Sequence, residues 1–340
     1  MTTTPLTPDA VSPIAITTRP ARRSVLLLAV VLAGLAPAHA AAEVAPAAGA
    51  PPACMACPEP DVWVVSTRRL PSICRLPGHA SFDVEQRSGG MWQASSAEEL
   101  LADSDRPLVF FIHGNLYEEC DAKSQGVVLA RRLWGACPQG IPPRVVVFSW
   151  PSQQQGRLIP SSRNNFRRSF VDGHYLARLL GQVDPAQPVA LVGYSFGGTI
   201  AVGAVEDLVE AGDDPSAAMH PWVGRPGRTH LVLVAPAVRH DALSPRGLFA
   251  PATAGIDRLT LLINSSDLAL KMFPHLEPGA KIDALGSVGM PRRWLPGSVE
   301  YSATDAAGIV GKRHAFPLYL DSATLSGRIA AGAIGGLAAD

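Results

Sequence analysis

The sequence lacks any surplus of charge: 29 Lys and Arg stand against 29 Asp and Glu over 340 residues. Nucleic-acid binding draws on clustered positive charge facing the phosphates, so nucleic acid is excluded as a partner. Charged residues are sparse at 17%, while hydrophobic residues reach 47%. A chain of that make-up has ample apolar surface to bury, which excludes disorder as its main state. Cysteines are few and odd in number, five in all, so the chain is not a disulfide-scaffolded miniprotein. Nor does any apolar run reach the ~20 residues that span a bilayer. Length alone admits two domains, but α/β folds often reach about 250 residues as one. What remains is one well-cored globular domain with additions at its ends.

The first addition reads as an address. Residues 1–23 are polar and close on Arg19, Arg22 and Arg23, and SVLLLAVVLAGLA then leads to Ala38-His39-Ala40. A basic region, a short apolar region and a small-residue cleavage site make an export signal over residues 1–40. Arg22-Arg23 also fits a loose twin-arginine pattern, so the export route stays open. The mature chain is then expected in the periplasm or outside the cell, with no membrane span left after cleavage. Residues 41–60, rich in Ala and Pro without an apolar period, read as a linker, and residues 61–340 as the folded domain.

An exported chain meets an oxidising compartment, where cysteines favour disulfides. Cys120 and Cys137 flank a helical pattern and are candidates to close a loop, with Cys54, Cys57 and Cys74 competing for one further bridge and the connectivity left open. Cys54-x-x-Cys57 also has the spacing of half a metal site or of a redox pair. No second pair of ligands accompanies it, so no metal is assigned.

Along the domain, short runs recur that are apolar at nearly every position: DVWVVS (61–66), PLVFFI (107–112), RVVVFS (144–149), PVALVG (188–193), THLVLVAP (229–236) and RLTLLINS (258–265). Runs of this kind are parallel strands covered on both faces. Helical patterns over 122–135, 163–182, 196–211 and 322–333 alternate with them, and SVEYSA (298–303) adds a late strand. The alternation predicts an α/β fold: a mostly parallel central sheet flanked by helices on both faces, without a large lid.

PVALVG runs into Gly193-Tyr194-Ser195-Phe196-Gly197-Gly198, and a helical pattern follows. A G-x-S-x-G at a strand-to-helix turn is a nucleophile elbow, where small residues let strand and helix close around a strained serine. The helix start offers N–H groups to an oxyanion developing beside the serine. PLVFFI ends in His113-Gly114-Asn115, the second place from which this architecture donates. The expected donors are the backbone N–H groups of Phe196 and Asn115, with His113 as a structural hydrogen-bonding residue rather than a base.

A serine nucleophile needs a base, and the base needs a carboxylate to fix its tautomer, in the chain order Ser, acid, His. Asp267 follows the RLTLLINS strand and is the expected acid; Asp241, after the preceding strand, is the alternative. Of the nine histidines, His314 lies in GIVGKRHAFPLY, between the last strand and the last helix, and is the expected base.

These residues resemble the α/β-hydrolase superfamily, and more narrowly its bacterial branch described as alpha/beta hydrolase of unknown function. VWVVSTRRLP, FFIHGN, VVVFSWPS and NSSDLAL carry the likeness, which covers roughly residues 61–335. Many relatives have H-S-M-G around the serine, where this chain has Tyr194 and Phe196. The resemblance implies hydrolase chemistry through Ser195, Asp267 and His314 and brings no substrate with it.

The expected activity is hydrolysis of carboxylic esters, from small molecules or lipids, through an acyl-enzyme and without metal or organic cofactor. Met272, Phe273, Leu276, Met290 and Trp294 are candidates for an apolar acyl pocket. Acyl transfer or peptide cleavage on the same three residues, and a binding module on a hydrolase scaffold, are the competing readings. Oligomeric state is not legible.

Overall fold

The apolar runs become strands that no solvent reaches, because each pleat faces a helical layer on one side or the other. In the computed structural model, which describes residues 59–137, 141–212, 219–276 and 282–337, they are β1 Val62–Ser66, β4 Leu108–Ile112, β5 Arg144–Ser149, β6 Val189–Tyr194 and β7 Thr229–Val234, buried throughout. Strand β8, Arg258–Ile263, exposes only its ends in part, and β9, Glu300–Asp305, closes the sheet as a largely exposed edge. The export signal and nearly all of the linker lie outside the described residues, as do Cys54 and Cys57.

The nine strands among the described residues form one sheet in the order β3-β2-β1-β5-β4-β6-β7-β8-β9. Every pairing from β1 to β9 is parallel; β2, Asp83–Ser88, and β3, Met91–Ser95, add antiparallel at one end. This hairpin has no counterpart among the runs read from the sequence. Its strands are largely polar and only one of their residues, Val84, is buried, so the pattern that betrays covered strands is missing. Its signal is the turn: Gly89 and Gly90 both have positive φ, 57° and 81°, which a two-residue hairpin turn requires.

Helix α1, Ala97–Leu101, is short and N-capped by Ser96. Helix α2, Glu119–Gly135, packs on β5 through Ala122, Gly126, Leu129, Ala130 and Leu133, the i, i+4, i+7 stripe of an amphipathic helix. Helix α3, Leu158–Leu180, lies across α4, Phe196–Ala211, which covers β4, β6 and β7. Helix α3 begins five residues before the pattern read from the sequence, with Pro160 in its first turn, where a missing N–H costs nothing. Beyond β8 come the single turns α5, Leu285–Val288, and α6, Ala307–Val310, then α7, Phe316–Asp321, and α8, Ala323–Ile334, which rests on β6, β7 and β8 in one layer with α2 and α7. Short 3-10 helices, among them Leu270–His275, occupy the segments after β7 and β8, and no large lid is present among the described residues.

One candidate pairing is overturned. Cys120 and Cys137 are both free. They stand at opposite ends of α2, and about 15 residues of helix hold their backbones roughly 20 Å apart, far beyond the ~7 Å a disulfide tolerates. Flanking a helix in sequence is what keeps the two thiols separate. Cys74 is also free, and exposed.

The sheet order has a consequence for function. From β4 the chain moves to β5 on one side and then crosses to β6 on the other, so the carboxyl ends of β4 and β6 border a topological switch point. Open α/β sheets bind ligands in the crevice outside such a point.

Candidate active site

At the end of β6 the chain turns into α4 through Ser195, whose φ of 54° and ψ of −120° are sparsely populated for any residue with a Cβ. Three backbone hydrogen bonds hold it there: its N–H donates to Val234 O at 3.1 Å, and its carbonyl accepts from Gly198 and Ala237, each at 3.0 Å. The turn closes because its neighbours are glycines. A Cβ on Gly197 would stand 2.0 Å from Ile112 O, and one on Gly193 would stand 2.7 Å from Gly197 O. Phe196 is the first residue of α4, so its N–H has no intrahelical acceptor.

Opposite the serine, β4 delivers His113-Gly114-Asn115. A Cβ on Gly114 would meet the Tyr194 ring at 2.8 Å and Ser195 Cβ at 3.0 Å, so this peptide runs directly against the serine. The W-P-S turn after β5 staples the loop from below. Trp150 Nε1 donates to His113 O at 2.8 Å, and the Trp150 N–H donates to His113 Nε2 at 3.2 Å. Leu116, at φ 65°, donates its N–H to Ser152 O at 2.9 Å. With Nε2 accepting, His113 Nδ1 faces Gly114 O at 2.9 Å as a donor, the neutral tautomer. Burial, with Arg68 nearby, pushes His113 down to about 3, so this ring is a fixed neutral hydrogen-bonding strut.

Past β8 the chain forms a tight turn in which Asp267 N–H donates to Asn264 O at 3.1 Å. The Asp267 side chain is completely buried. Oδ1 accepts from the N–H groups of Ala269 and Leu270, at 2.9 and 3.1 Å, and Oδ2 faces His314 Nδ1 at 2.6 Å. The loop carrying His314 is tied to this turn twice: Asn264 Nδ2 donates to Gly311 O at 2.9 Å, and Leu268 N–H donates to Lys312 O at 3.2 Å. His314 Nε2 then lies 2.8 Å from Ser195 Oγ. A carboxylate can only accept, so Nδ1 carries the proton and Nε2 is left to accept from the hydroxyl.

Ser195, Asp267 and His314 thus form one hydrogen-bonded chain, with Gly193 and Gly197 at its turn and His113, Gly114 and Asn115 facing it. Asp241 is not part of it; its oxygens accept from Arg239 Nε and Nη2 at 3.2 and 3.3 Å, which holds its carboxyl below the usual range. Tyr194 takes a place that residue-by-residue reading does not assign. Its buried ring stacks on His314 at 5.1 Å and 27°, and packs on Phe316, so the imidazole rests on an aromatic floor. Asn264 was likewise not singled out, although its position three residues before Asp267 in a polar N-S-S-D turn is a readable cue.

Beside the serine, Phe166 of α3 meets both Phe196 and Phe273 at ring separations of 5.4 Å. Of the apolar residues named for an acyl pocket, Phe273 is therefore linked to the residue after Ser195 through the Phe166 ring. Met290 instead accepts Tyr301 Oη at its carbonyl, next to β9. Among the described residues, no group of three His, Cys, Asp or Glu could hold a metal ion, and no helix is long and apolar enough to cross a membrane.

The nine-stranded, mostly parallel sheet with helices on both faces and an elbow at its switch point defines an α/β hydrolase. The family described as alpha/beta hydrolase of unknown function matches residues 91–293, and the chain belongs to that family. Among solved structures it is similar to esterase B of Lactobacillus rhamnosis, described as a C6-C4 SN3-inhibited form. That match has 14% identity and a TM-score of 0.37, covering 79% of this chain and 84% of that one. None of the curated proteins matches the chain.

Proposed function

We propose that this chain is an exported serine hydrolase that cleaves carboxylic esters of small molecules or lipids through an acyl-enzyme. The observation that carries the reading is the unbroken line of hydrogen bonds from Asp267 through His314 to Ser195, at a positive-φ elbow. Ser195 Oγ attacks the acyl carbonyl while His314 Nε2 takes its proton, and the charge moves onto the carbonyl oxygen. The N–H groups of Phe196 and Asn115 receive that oxygen. Protonated His314, stabilised by Asp267, returns the proton to the leaving alcohol. Water then repeats the sequence, with His314 as base, and frees the acid. Every proton lost by a nucleophile returns to a leaving group, so no metal or organic cofactor is called for.

Esters suit the aromatic wall of Phe196, Phe166 and Phe273, along which an acyl chain can lie. Export rests on the basic, apolar and Ala-His-Ala order of the first forty residues. A fluorophosphonate probe tests the reading on folded mature protein, with p-nitrophenyl esters of increasing chain length as substrates. The expected result is labelling and turnover in the wild type and neither in Ser195→Ala. Equal labelling of both proteins would overturn it, and a wild type inert to probe and esters alike would favour a binding module.

A further inference from the structure

The first turns of α3 bury a cluster of uncharged polar side chains. Ser161, Ser162 and Asn165 are buried there, two hydroxyls and a carboxamide turned inward from the first turns of the helix. Buried polar groups of this kind persist only where their hydrogen bonds are met, so what they meet indicates what they are for. Asn165 Nδ2 lies 2.8 Å from Asn115 Oδ1, 2.7 Å from Ser152 O and 3.3 Å from Gln153 O. Three oxygens around one atom fix the orientation of that carboxamide, because its own oxygen in the same place would face only acceptors. Asn115 Nδ2 in turn donates to Ser162 Oγ at 3.1 Å. Both ends of the Asn115 side chain are therefore held by α3, through Ser162 and Asn165, three residues apart on one face of the helix.

Asn115 is also the residue whose backbone N–H the proposed mechanism assigns to the oxyanion. Its N–H and its side chain leave the same Cα, so a side chain clamped at both ends fixes where that peptide sits. Ser152 O, the other strong acceptor of Asn165, simultaneously receives the Leu116 N–H. A single carboxamide thus ties the loop after β4, the W-P-S turn after β5 and α3 together at the point where the oxyanion would form. Preorganised donors are effective because nothing needs to reorient when charge develops.

We infer that Asn165 is a positioning residue for the oxyanion: it fixes the Asn115 peptide so that its N–H meets the developing charge. The inference rests on the serine-hydrolase reading and concerns a residue that never touches substrate. Three variants test it in the mature protein, each normalised to active sites by fluorophosphonate titration. Asn165→Ala removes the clamp, and Asn165→Asp keeps the shape but turns an acceptor toward three acceptors. Asn164→Ala, at an exposed neighbour, is the control.

In both Asn165 variants kcat per titrated site is expected to fall at least about tenfold with KM nearly unchanged. Outright loss of an oxyanion donor costs about 10²–10³-fold, which sets the ceiling. The affinity of a boronic acid that mimics the tetrahedral state is expected to fall in parallel with kcat/KM, and Asn164→Ala to match the wild type. A merely structural role would lower the titratable fraction or the Tm and leave turnover per site as it was, and that outcome overturns the inference. So does an unchanged boronate affinity. If wild-type protein neither labels nor turns over ester, the parent reading fails and takes this one with it; an active wild type with equally active Asn165 variants sinks the positioning role alone.

Discussion

Ser195 holds a backbone conformation that costs a residue with a Cβ about 1–3 kcal/mol, and its neighbours sustain it with three backbone hydrogen bonds. The strain belongs to the position, not to the hydroxyl. Ser195→Ala is therefore expected to lose activity while keeping nearly the wild-type Tm. Ser195→Gly, free to adopt a positive φ, is expected to be equally inactive yet melt higher than Ser195→Ala, by about 2–4 °C for each kcal/mol of relieved strain. Differential scanning calorimetry of the two variants decides; identical melting would show that the strain at the elbow does not exceed the roughly 0.5–1 kcal/mol of backbone entropy that glycine loses on folding. The acid makes a contrasting case. Asp267 accepts from two N–H groups besides facing His314. Asp267→Asn keeps the size but presents an amide to an imidazole that needs an acceptor. Turnover is expected to fall about 10⁴-fold, by analogy with the same change in a serine protease triad. A pre-steady-state acylation measurement would locate the loss, and a loss confined to KM would count against the orienting role.

At the scale of elements, what was legible depended on whether a single segment carried its own signature. The parallel strands were readable because coverage on both faces leaves them apolar at nearly every position, as in the fully buried β6. The elbow was readable because its glycines answer to close packing, and Gly197 gives the sharpest case, with Ile112 O where its Cβ would stand. Gly197→Ala must push α4 away from β4. It is expected to destabilise by about 1–3 kcal/mol or more, seen as a lower urea midpoint, and to reduce turnover because the Phe196 N–H moves with the helix. What stayed hidden was pairing between segments distant in sequence. The clamp of Asn165 on Asn115 spans 50 positions, and neither residue advertises the other. The β2–β3 hairpin escaped for the opposite reason, being polar and exposed, with only Gly89-Gly90 to mark it. The aromatic wall yields its own test. Phe273, on the 3-10 helix after Asp267, packs edge-on against Phe166, which in turn meets Phe196. Phe273→Ala is expected to raise kcat/KM for longer p-nitrophenyl esters relative to acetate. An unchanged chain-length profile would remove Phe273 from the acyl site.

Across the whole molecule the formal charges cancel, so its stability responds to pH through local environments rather than net repulsion. Two helices, α3 and α4, hold the groups that matter above mildly acidic pH. Glu206 is pushed from 4.5 up to about 7, by burial and then by Glu210 and Asp207. Asp172 is raised from 3.8 to about 6 by burial, which outweighs its partner Arg168. Each keeps its proton in the native state where the unfolded chain has already released it, so rising pH favours the unfolded chain until the native group ionises as well. His174 acts in the same direction. It is raised by its hydrogen bond to Asp207 Oδ2 at 2.5 Å, so the stability that pair contributes is full at lower pH and is lost as pH rises through the native titration. The opposing groups are His113 and His230, which burial pushes from 6.5 down to about 3 and about 4, so that below 6.5 the unfolded chain takes up protons the native rings refuse; Glu300, drawn from 4.5 down to about 2 by hydrogen bonds from Arg228 and Arg258, adds a contribution present above 4.5 that fades as pH falls toward 2. The two limbs cross on the acid side of neutrality, so the Tm is expected to peak at about pH 6 and decline toward about pH 8. Glu206→Gln has no proton to hold and should flatten the upper limb. It should melt a few degrees above the wild type at about pH 8 and level with it at about pH 4, where both side chains are neutral. Melting curves across that range check the claim, and a variant whose upper limb runs parallel to the wild type's would show that the carboxyl of Glu206 is ionised in the native state at much lower pH.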